Sequence, residues 1–395
     1  MIRKYCKPVT LQKVKIPLLI LLFLLMLFSC KDSESEILRI DLAENLSPGN
    51  HELSGFAEDV IYIPLETTSN NLLRSIGKLH MNNNGIFYIS DYRSLQIYTH
   101  EGKFKYQAGK SGRGPGEYSF IDDFTVDEST GTIYILDRRN ILTYGEAGNY
   151  INNIKATGRP MQIEYIEGNI LLYVDNSDGQ TEHSFLLIDK YGEVLKQYNN
   201  KYKFEPSGPV VVVADGPVRY HFNDTLFIKE AYSDTIFFVD GSEFVPRYIF
   251  NQGDGKLAAN VYGKDLLTEG YKYISFRRIF ETSQFLFASY WWNKSGMYLI
   301  RCKNSDNNYV FDNEKGLIND IDGGPEVIPE MAITKGGTEY LVMWLDAFRL
   351  KAHVESEAFR NSIPKFPEKK KELEKLAASL DENDNPVLML VKLKE

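Results

Sequence analysis

The residues that could carry out acid–base or metal chemistry are scattered along this chain. Its six histidines lack the His-x-His and His-Glu-x-x-His spacings that bind zinc. No Gly-x-Ser-x-Gly sequence marks a serine nucleophile. Cys302 has no partner signature of a reactive thiol, and its strand-like surroundings predict a core thiol. The sequence therefore indicates no catalytic residue, no metal ligand and no cofactor.

Two oxygen-rich segments have the atoms that calcium prefers. They are the pair Asp122 and Asp123, and residues 319–324 with the sequence Asn-Asp-Ile-Asp-Gly-Gly. Neither follows the twelve-residue pattern of a calcium loop. Asn, Asp and Gly are also the residues that build tight turns, so turn formation is the favoured interpretation of both segments.

A glycine-rich segment, residues 109–118, carries the first pair of candidate ligand-binding residues. Its spacing matches neither a phosphate-binding loop nor a dinucleotide-binding fingerprint. Its glycines and proline predict unusual backbone angles and a close approach of chains. Arg113 and Glu117 could bind a ligand at a rim of the fold. Alternatively, they could pair with each other and stabilise the turn.

Two adjacent tryptophans, Trp291 and Trp292, are the second pair of ligand-binding candidates. They follow an alternating strand pattern, and neighbouring residues of a strand point to opposite faces. One of the two rings is therefore expected on an exposed face, where it could stack on a sugar or contact a protein partner. Packing against a neighbouring sheet is the structural alternative.

The elements that would position these residues form a repeat. Residues 85–109 and residues 131–158 have the same pattern, with strand, turn, strand, glycine turn and strand, at an offset of 46 residues. A period of 40 to 50 residues is typical of β-propeller blades. Asp91 and Asp137 occupy equivalent places in the two copies, which predicts a shared structural role in capping a turn at the end of a strand.

Similar strand patterns predict six blades in all. The expected boundaries of the first five are residues 76–118, 121–160, 161–204, 217–255 and 271–316. The sixth combines residues 339–344 with residues 387–393, and residues 60–65 are expected to supply its outer strand. Such a closure removes two exposed sheet edges. An all-β, six-bladed propeller over residues 58–395 is the predicted fold.

One helix is expected, as an insert in the last blade at about residues 355–381. Leu373, Leu376, Ala377 and Leu380 recur at the spacing of one helical face, and Pro367 suits a first turn. The helix could dock a partner or pack on the flank of the propeller.

The N-terminus predicts export. Five basic residues and no acid precede a short apolar run, residues 16–28, which is too short to span a bilayer comfortably. The sequence Leu-Phe-Ser-Cys at residues 27–30 resembles a bacterial lipobox. We therefore expect a signal peptide at residues 1–29, a lipid on Cys30 and a flexible tether at residues 30–57. Removing residues 1–29 changes the formal charge from −9 to −14, which disfavours nucleic acid as a partner.

The order of Tyr-Ile-Pro-Leu-Glu at residues 62–66 and Gly-Arg-Gly-Pro-Gly-Glu-Tyr at residues 112–118 resembles the six-bladed β-propeller lipoproteins of Bacteroidetes, within the NHL/TolB-like propellers. The resemblance covers residues 58–160. It implies an outer-membrane lipoprotein, and the acidic residues after Cys30 resemble a signal for surface exposure in that group. It implies no particular activity.

Two functions remain open on the sequence. The first is a non-catalytic module that binds a glycan, a peptide or a partner protein and is held to the membrane through Cys30. The alternative is a propeller enzyme of lyase, lactonase or hydrolase type with its site at the central channel. Residues from different blades can converge there without any spacing that the sequence reveals.

Overall fold

The computed structural model describes residues 37–42, 47–205, 215–257 and 270–394. The predicted signal peptide and Cys30 lie outside these residues. The chain divides into two units, residues 1–38 and residues 39–395, and the second holds nearly all of the described elements. Among the described residues, no helix has the length and apolar composition needed to cross a membrane.

Six antiparallel sheets form the blades of the propeller that the sequence predicts. Two strands precede the first complete blade: β1 (Leu38–Asp41) and β2 (Ala57–Pro64). Blade 1 contains β3 (Lys78–Met81), β4 (Phe87–Ser90), β5 (Leu95–Tyr98) and β6 (Phe104–Gln107). A short parallel pair follows, β7 (Lys110–Ser111) and β8 (Glu117–Tyr118). Blade 2 contains β9 (Asp123–Asp127), β10 (Thr132–Asp137), β11 (Asn140–Tyr144) and β12 (Tyr150–Lys155).

The next three blades repeat the arrangement. Blade 3 contains β13 (Pro160–Ile166), β14 (Asn169–Val174), β15 (His183–Ile188) and β16 (Val194–Asn199). Blade 4 contains β17 (Val218–Phe222), β18 (Thr225–Lys229), β19 (Thr235–Asp240) and β20 (Glu243–Asn251), and β1 pairs with β20 as a fifth strand. Blade 5 contains β21 (Ser275–Glu281), β22 (Phe285–Trp292), β23 (Ser295–Cys302) and β24 (Asn308–Asp312).

Blade 6 joins the two ends of the chain. It contains β25 (Met331–Lys335), β26 (Thr338–Leu345) and β27 (Val387–Leu393), and β2 is its outermost strand. Val60 lies opposite Val391 in this antiparallel pair. The predicted closure by an N-terminal strand is therefore confirmed. The sequence pattern missed β25, the innermost strand of the blade.

The core lies between neighbouring blades, because each sheet packs on both of its faces. In blade 2 the second strand, β10, is buried along nearly its whole length, whereas the outermost strand, β12, is mostly exposed. Between blades 1 and 6, Phe87 and Ile89 pack in one buried cluster with Leu388 and Leu390. Burial of each such side chain contributes about 1.5–3 kcal/mol, so packing as well as strand pairing closes the ring.

The insert in blade 6 is larger than predicted. It contains three helices, α1 (Ala347–Glu355), α2 (Glu357–Asn361) and α3 (Pro367–Ser379), where the sequence indicated one. The predicted helix is α3, with Pro367 in its first turn and with Leu373 and Ala377 buried. The first two helices are short and bury few apolar residues, so they lack the long stripe that revealed α3.

Part of the predicted tether belongs to the folded structure, which corrects that prediction. Ile40 is buried in β1, and the backbone N–H of Leu42 donates to the carbonyl oxygen of Asn251 at 2.8 Å. Leu53 is fully buried, and its backbone N–H donates to the carbonyl oxygen of Ile318. Buried apolar side chains and backbone hydrogen bonds to blade 4 and to residue 318 thus anchor the segment.

The two ends of the propeller differ in which turns they carry. Because successive strands of a blade are antiparallel, the start of each innermost strand and the turn between the second and third strands lie at the same end. We call this end the upper face. Contacts within blade 1 show the arrangement, since Asp91, just after β4, accepts a hydrogen bond from the N–H of Arg74, just before β3, at 3.4 Å.

Candidate functional site

The central channel contains an ionic cluster built by the innermost strands of four blades. Lys78 begins β3 and Asp123 begins β9, and their charged atoms are 2.8 Å apart. Arg219 of β17 reaches Asp123 of blade 2 at 2.5 Å and also pairs with Glu164 of β13. One guanidinium group thus joins blades 2, 3 and 4, and this level of the channel is crossed by protein side chains.

Hydrogen bonds complete the coordination of the two carboxylates. Asp123 accepts a bond from the N–H of Ile163 at 2.8 Å, and Glu164 accepts one from the hydroxyl of Thr125 at 3.3 Å. Burial alone would raise the pKa of Glu164, but Arg219, Lys78 and His221 together lower it to about 2. The carboxyl group of Glu164 is therefore ionised at neutral pH and holds no proton that it could donate to a substrate.

The other side of the channel has a similar ion pair. Arg278 of β21 pairs with Glu330, the residue before β25, and so connects blades 5 and 6. Burial raises the pKa of Glu330 and Arg278 opposes that effect. Opposite charges therefore meet on both sides of the channel.

Two histidines lie beside the cluster. His221 Nε2 is 3.8 Å from Glu164, and its side chain is 45% exposed, as expected for the wall of a channel. Partial desolvation by the surrounding channel wall lowers the pKa of His221, and Glu164 only partly opposes this. His80 Nε2 is 2.6 Å from a carboxylate oxygen of Glu128. A neutral imidazole at His221 could accept a proton, which makes it the best-placed base of the channel.

The upper face is shaped by the two aspartates that the repeat singled out. In blade 1 the Asp91 carboxylate accepts the N–H groups of Arg93 and Ser94, at 3.0 Å and 2.7 Å. In blade 2 the Asp137 carboxylate accepts the N–H of Ser119 at 2.7 Å. Each carboxylate thus accepts a backbone N–H from the loop before the innermost strand of its blade, Arg74 for Asp91 and Ser119 for Asp137. Only Asp91 also caps its own strand-end turn, so the predicted capping role is observed in blade 1 and not in blade 2.

Four arginines project from these same turns and loops. The set, which we call the arginine rim, consists of Arg74, Arg93, Arg138 and Arg139. All four are exposed, and none forms an ion pair with a described residue. Their backbones are nevertheless fixed, since the N–H of Arg138 donates to Asp122 at 2.6 Å. The rim is thus a set of cations on a rigid base.

An aromatic pair lies among the arginines. Tyr92 and Phe120 stack with their ring centroids 5.7 Å apart and their planes at 4°. They are 42% and 39% exposed. The N–H of Ile121 donates to the carbonyl oxygen of Tyr92 at 2.9 Å, which ties the loop before blade 2 to the turn of blade 1. The pair therefore presents apolar ring surface between the arginines of two blades.

The predicted candidates Arg113 and Glu117 lie in the connection between blades 1 and 2. Arg113 is exposed. Glu117 accepts the N–H of Gly114 at 2.8 Å and pairs with Lys110 at 3.1 Å, and these contacts lower its pKa. The Glu117 carboxylate thus stabilises the turn by pairing with the Lys110 side chain, and it does not pair with the Arg113 side chain. Gly109 is required nearby, because a Cβ atom at this residue would lie 2.6 Å from the ring of Tyr144.

Trp291 and Trp292 lie at the end of β22 in blade 5, far along the ring from Arg113. Trp291 is 39% exposed, whereas Trp292 is half-buried and donates its Nε1–H to the carbonyl oxygen of Lys272 at 3.2 Å. One ring is therefore exposed and the other has a structural contact. The structure does not bring the four candidate residues of the sequence into one site.

The remaining candidates have structural contacts. In residues 319–324, Asp322 accepts the N–H of Gly324 at 2.8 Å and Asp320 pairs with Lys365 at 2.8 Å. No group of three or more His, Cys, Asp or Glu side chains among the described residues could hold a metal ion. Cys302 is half-buried at the last position of β23, which corrects the prediction of a core thiol.

The channel cluster left no signal in the sequence, because Lys78, Asp123, Glu164 and Arg219 come from four blades and meet only when the ring closes. The arginine rim did leave a signal. Each of the repeated aspartates, Asp91 and Asp137, is followed two residues later by an arginine. An exposed residue type that recurs at equivalent turns is a usable indication of a shared surface.

Comparison with solved structures supports the fold. A protein of Bacteroides fragilis classed as exported has 20% identity and a TM-score of 0.67, with 91% of this chain and 100% of that chain covered. A member of the DUF4221 family from Bacteroides vulgatus has 13% identity and a TM-score of 0.51, with 86% and 97% covered. No curated protein matches the sequence closely enough to indicate a relative.

Family comparison covers nearly the whole propeller. The profile described as a domain of unknown function, DUF4934, matches residues 37–392, from the strand β1 that extends blade 4 to the last strand of blade 6. This chain is therefore a member of the DUF4934 family.

Proposed function

We propose that this protein is a lipid-anchored component of the cell envelope whose propeller is a non-catalytic binding module, and that the arginine rim on the upper face binds an acidic partner. The observation that carries the proposal is the set of four exposed arginines in a chain of net charge −9. None of the four guanidinium groups forms an ion pair with a described carboxylate, and Asp122 contacts Arg138 through the backbone N–H and acts on its charge from there. Guanidinium groups are well suited to bind carboxylate, sulfate or phosphate groups in bidentate geometry.

The environment of the rim supports this assignment. The rigid turns reduce the entropy that the arginines lose on binding, because their backbones are already fixed by Asp91 and Asp122. The exposed ring surface of Tyr92 and Phe120 adds an apolar contact area within the same surface. Arginine and tyrosine are among the residues enriched at the energetically important positions of binding surfaces.

The channel supports a structural role for its own charges. Asp123 and Glu164 are each bound by Arg219 and by further donors, so neither carboxylate is available as a general acid. A ligand that entered at this level would have to break several ion pairs. We infer that the ligand lies across the upper face and does not enter the channel.

The location rests on the N-terminal sequence. Residues 27–30 resemble a lipobox, and the similar protein of Bacteroides fragilis is classed as exported. We infer that Cys30 carries the lipid and that the protein resides in the outer membrane. Labelling of the native host with radioactive palmitate should mark the wild-type protein and not the Cys30→Ser variant. Equal labelling of both proteins would refute the anchor.

The binding surface can be tested by chromatography of residues 31–395, the part that contains the compact propeller unit. Despite its net charge of −14, we expect this domain to be retained on a sulfonate resin at neutral pH and low salt, because the arginine rim forms a local cationic surface. Salt should release it, since these charges are exposed and screened.

The matched variants locate the charge. Arg93→Ala/Arg139→Ala should flow through the resin. Lys103→Ala/Lys335→Ala, which removes the same charge from exposed lysines outside the rim, should be retained like the wild type. Wild-type protein in the flow-through, or equal loss in both double variants, would overturn the proposed site.

A catalytic propeller is the second candidate, and the position of His221 favours it. This imidazole faces the channel, and partial desolvation keeps its pKa low. If the channel is an active site with His221 as its base, a screen of the purified protein against ester, lactone and polyuronate substrates should find an activity that the His221→Asn variant loses and the Lys103→Ala variant keeps. Equal activity of His221→Asn and the wild type would refute this role of His221.

A further inference from the structure

The turns that carry the arginine rim are copies of one another in adjacent blades. Residues 91–94 of blade 1 and residues 137–140 of blade 2 both join the second strand to the third, at an offset of 46 residues. Arg93 and Arg139 therefore occupy equivalent positions. Adjacent blades of a six-bladed ring are related by a rotation of about 60°. The surface thus repeats one cationic position along a path from blade 1 to blade 2.

The backbone of both turns is strained at the preceding residue. Tyr92 has a φ of 66° and Arg138 a φ of 59°. Bulky side chains at positive φ cost on the order of 1 kcal/mol or more, and Gly or Asn would form the same turn more easily. Turn formation alone therefore does not explain why a tyrosine and an arginine stand there. Both side chains are exposed, so core packing does not explain them either.

The stacked rings lie between the repeated cations. Phe120 belongs to the loop that leads from blade 1 to blade 2, and it stacks on Tyr92 of the first turn. Exposed aromatic faces offer flat apolar area. The C–H face of a sugar ring is flat, apolar and of similar size. An extended acidic peptide has no comparable ring at a regular spacing.

We propose that the upper face of blades 1 and 2 binds a linear acidic polysaccharide. Its carboxylates or sulfates would bind Arg93 and Arg139, with Arg74 and Arg138 beside them, and one sugar ring would lie on Tyr92 and Phe120. The inference deepens the proposed function, on which it rests, by naming the ligand class. A repeated cation in neighbouring blades requires a repeated anion, which a single small acid lacks.

The experiment compares three polymers in affinity gel electrophoresis of residues 31–395. Polygalacturonate supplies sugar rings with carboxylates, polyglutamate supplies carboxylates alone, and dextran supplies neutral sugar. We expect retardation by polygalacturonate, weaker retardation by polyglutamate and none by dextran. Monomeric galacturonate should compete poorly with the polymer, because one residue cannot contact both turns.

Variants separate the two contacts. Arg93→Ala and Arg139→Ala should each weaken polygalacturonate binding about tenfold, as expected for the loss of one charged hydrogen-bonding group. Phe120→Ala should weaken binding of polygalacturonate several-fold and leave that of polyglutamate unchanged. Circular dichroism checks that each variant is folded, and Lys103→Ala is the matched control.

The outcomes distinguish this inference from the proposed function. Equal retardation by polyglutamate and polygalacturonate, unaffected by Phe120→Ala, would overturn the polysaccharide assignment and favour an acidic protein partner. Retention on the sulfonate resin would in that case persist, and the proposed binding surface would stand. Loss of retention on the resin would remove the surface and the polysaccharide together.

Discussion

The channel and the upper face use the same charged side chains for opposite purposes. In the channel, Arg219 is only 14% exposed and binds two carboxylates from two other blades. On the upper face, Arg93 and Arg139 are exposed and have no described carboxylate partner. Desolvation explains the difference. A buried cation requires partners, whereas an exposed cation keeps its hydration and remains free to exchange water for a ligand.

The channel charges around Arg219 are therefore expected to stabilise the fold, and the arginine rim is expected to bind a ligand. Charges that join different blades are expected to affect unfolding, and charges on single turns are not. Four changes, taken from the largest expected effect to the smallest, separate these roles.

Arg219→Met should destabilise the protein most. The methionine fills part of the volume but leaves Glu164 buried without its paired guanidinium and leaves Asp123 with Lys78 alone. Breaking a buried pair in this way costs about 3–5 kcal/mol. Urea unfolding monitored by tryptophan fluorescence measures the change. Arg93→Met, its counterpart on the upper face, should change the free energy of unfolding by no more than about 0.5 kcal/mol. Equal effects of the two substitutions would remove the distinction between the regions.

Acid should weaken the channel before the upper face. The pKa of Glu164 is about 2 in the folded protein, against about 4.3 in the unfolded chain. Its contribution is therefore fully present above the unfolded pKa and is lost as pH falls toward 2, by about 3 kcal/mol in total. The urea midpoint should decrease over this range in the wild type. In Glu164→Gln the urea midpoint should not show this decrease with falling pH. The same decrease in the variant and the wild type would contradict the role of Glu164.

Glu230 is a carboxylate without a cation in contact among the described residues, and its pKa therefore shifts in the opposite direction to that of Glu164. It follows β18, accepts a hydrogen bond from Ser184 of blade 3, and burial raises its pKa to about 7. Because the folded pKa exceeds the unfolded value of about 4.3, the stabilisation by protonated Glu230 is fully present below about pH 4 and is lost as the pH rises from there through 7.

Glu230→Gln, which mimics the protonated group, should therefore stabilise the protein at a pH of about 8 by up to about 2 kcal/mol and change little at a pH of about 4. Thermal unfolding at the two pH values measures this difference. The same gain at both values would show that the effect is not the titration of Glu230.

Arg138→Gly should have the smallest effect on stability and a clear effect on binding. Glycine relieves the positive φ of 59° at this residue, so the free energy of unfolding should rise by about 0.5 kcal/mol or stay the same. Retention on the sulfonate resin should weaken. Arg139→Gly is the matched control, because it removes the same charge from a residue without positive φ and should destabilise the turn slightly. A stability loss in Arg138→Gly would show that the side chain has a structural role.

Several parts of the fold were open to prediction because they depend on short-range patterns. The repeat with an offset of 46 residues, the alternation within strands and the apolar stripe of α3 each depend on neighbouring residues. Helices α1 and α2 and strand β25 were missed, since each is too short or too polar to leave a clear period. The packed segment around Leu53 was missed because its partner Ile318 lies in a distant part of the chain.

The candidate site shows the same difference between local patterns and contacts between distant residues. The sequence by itself determined the propeller and its closing strand, because both follow from local patterns repeated along the chain. Only the tertiary structure placed Arg219 against Asp123 and Glu164, and only it left Arg93 and Arg139 exposed on equivalent turns of neighbouring blades. Burial and pairing of a charge are decided by residues from other blades, and a linear pattern does not contain that information.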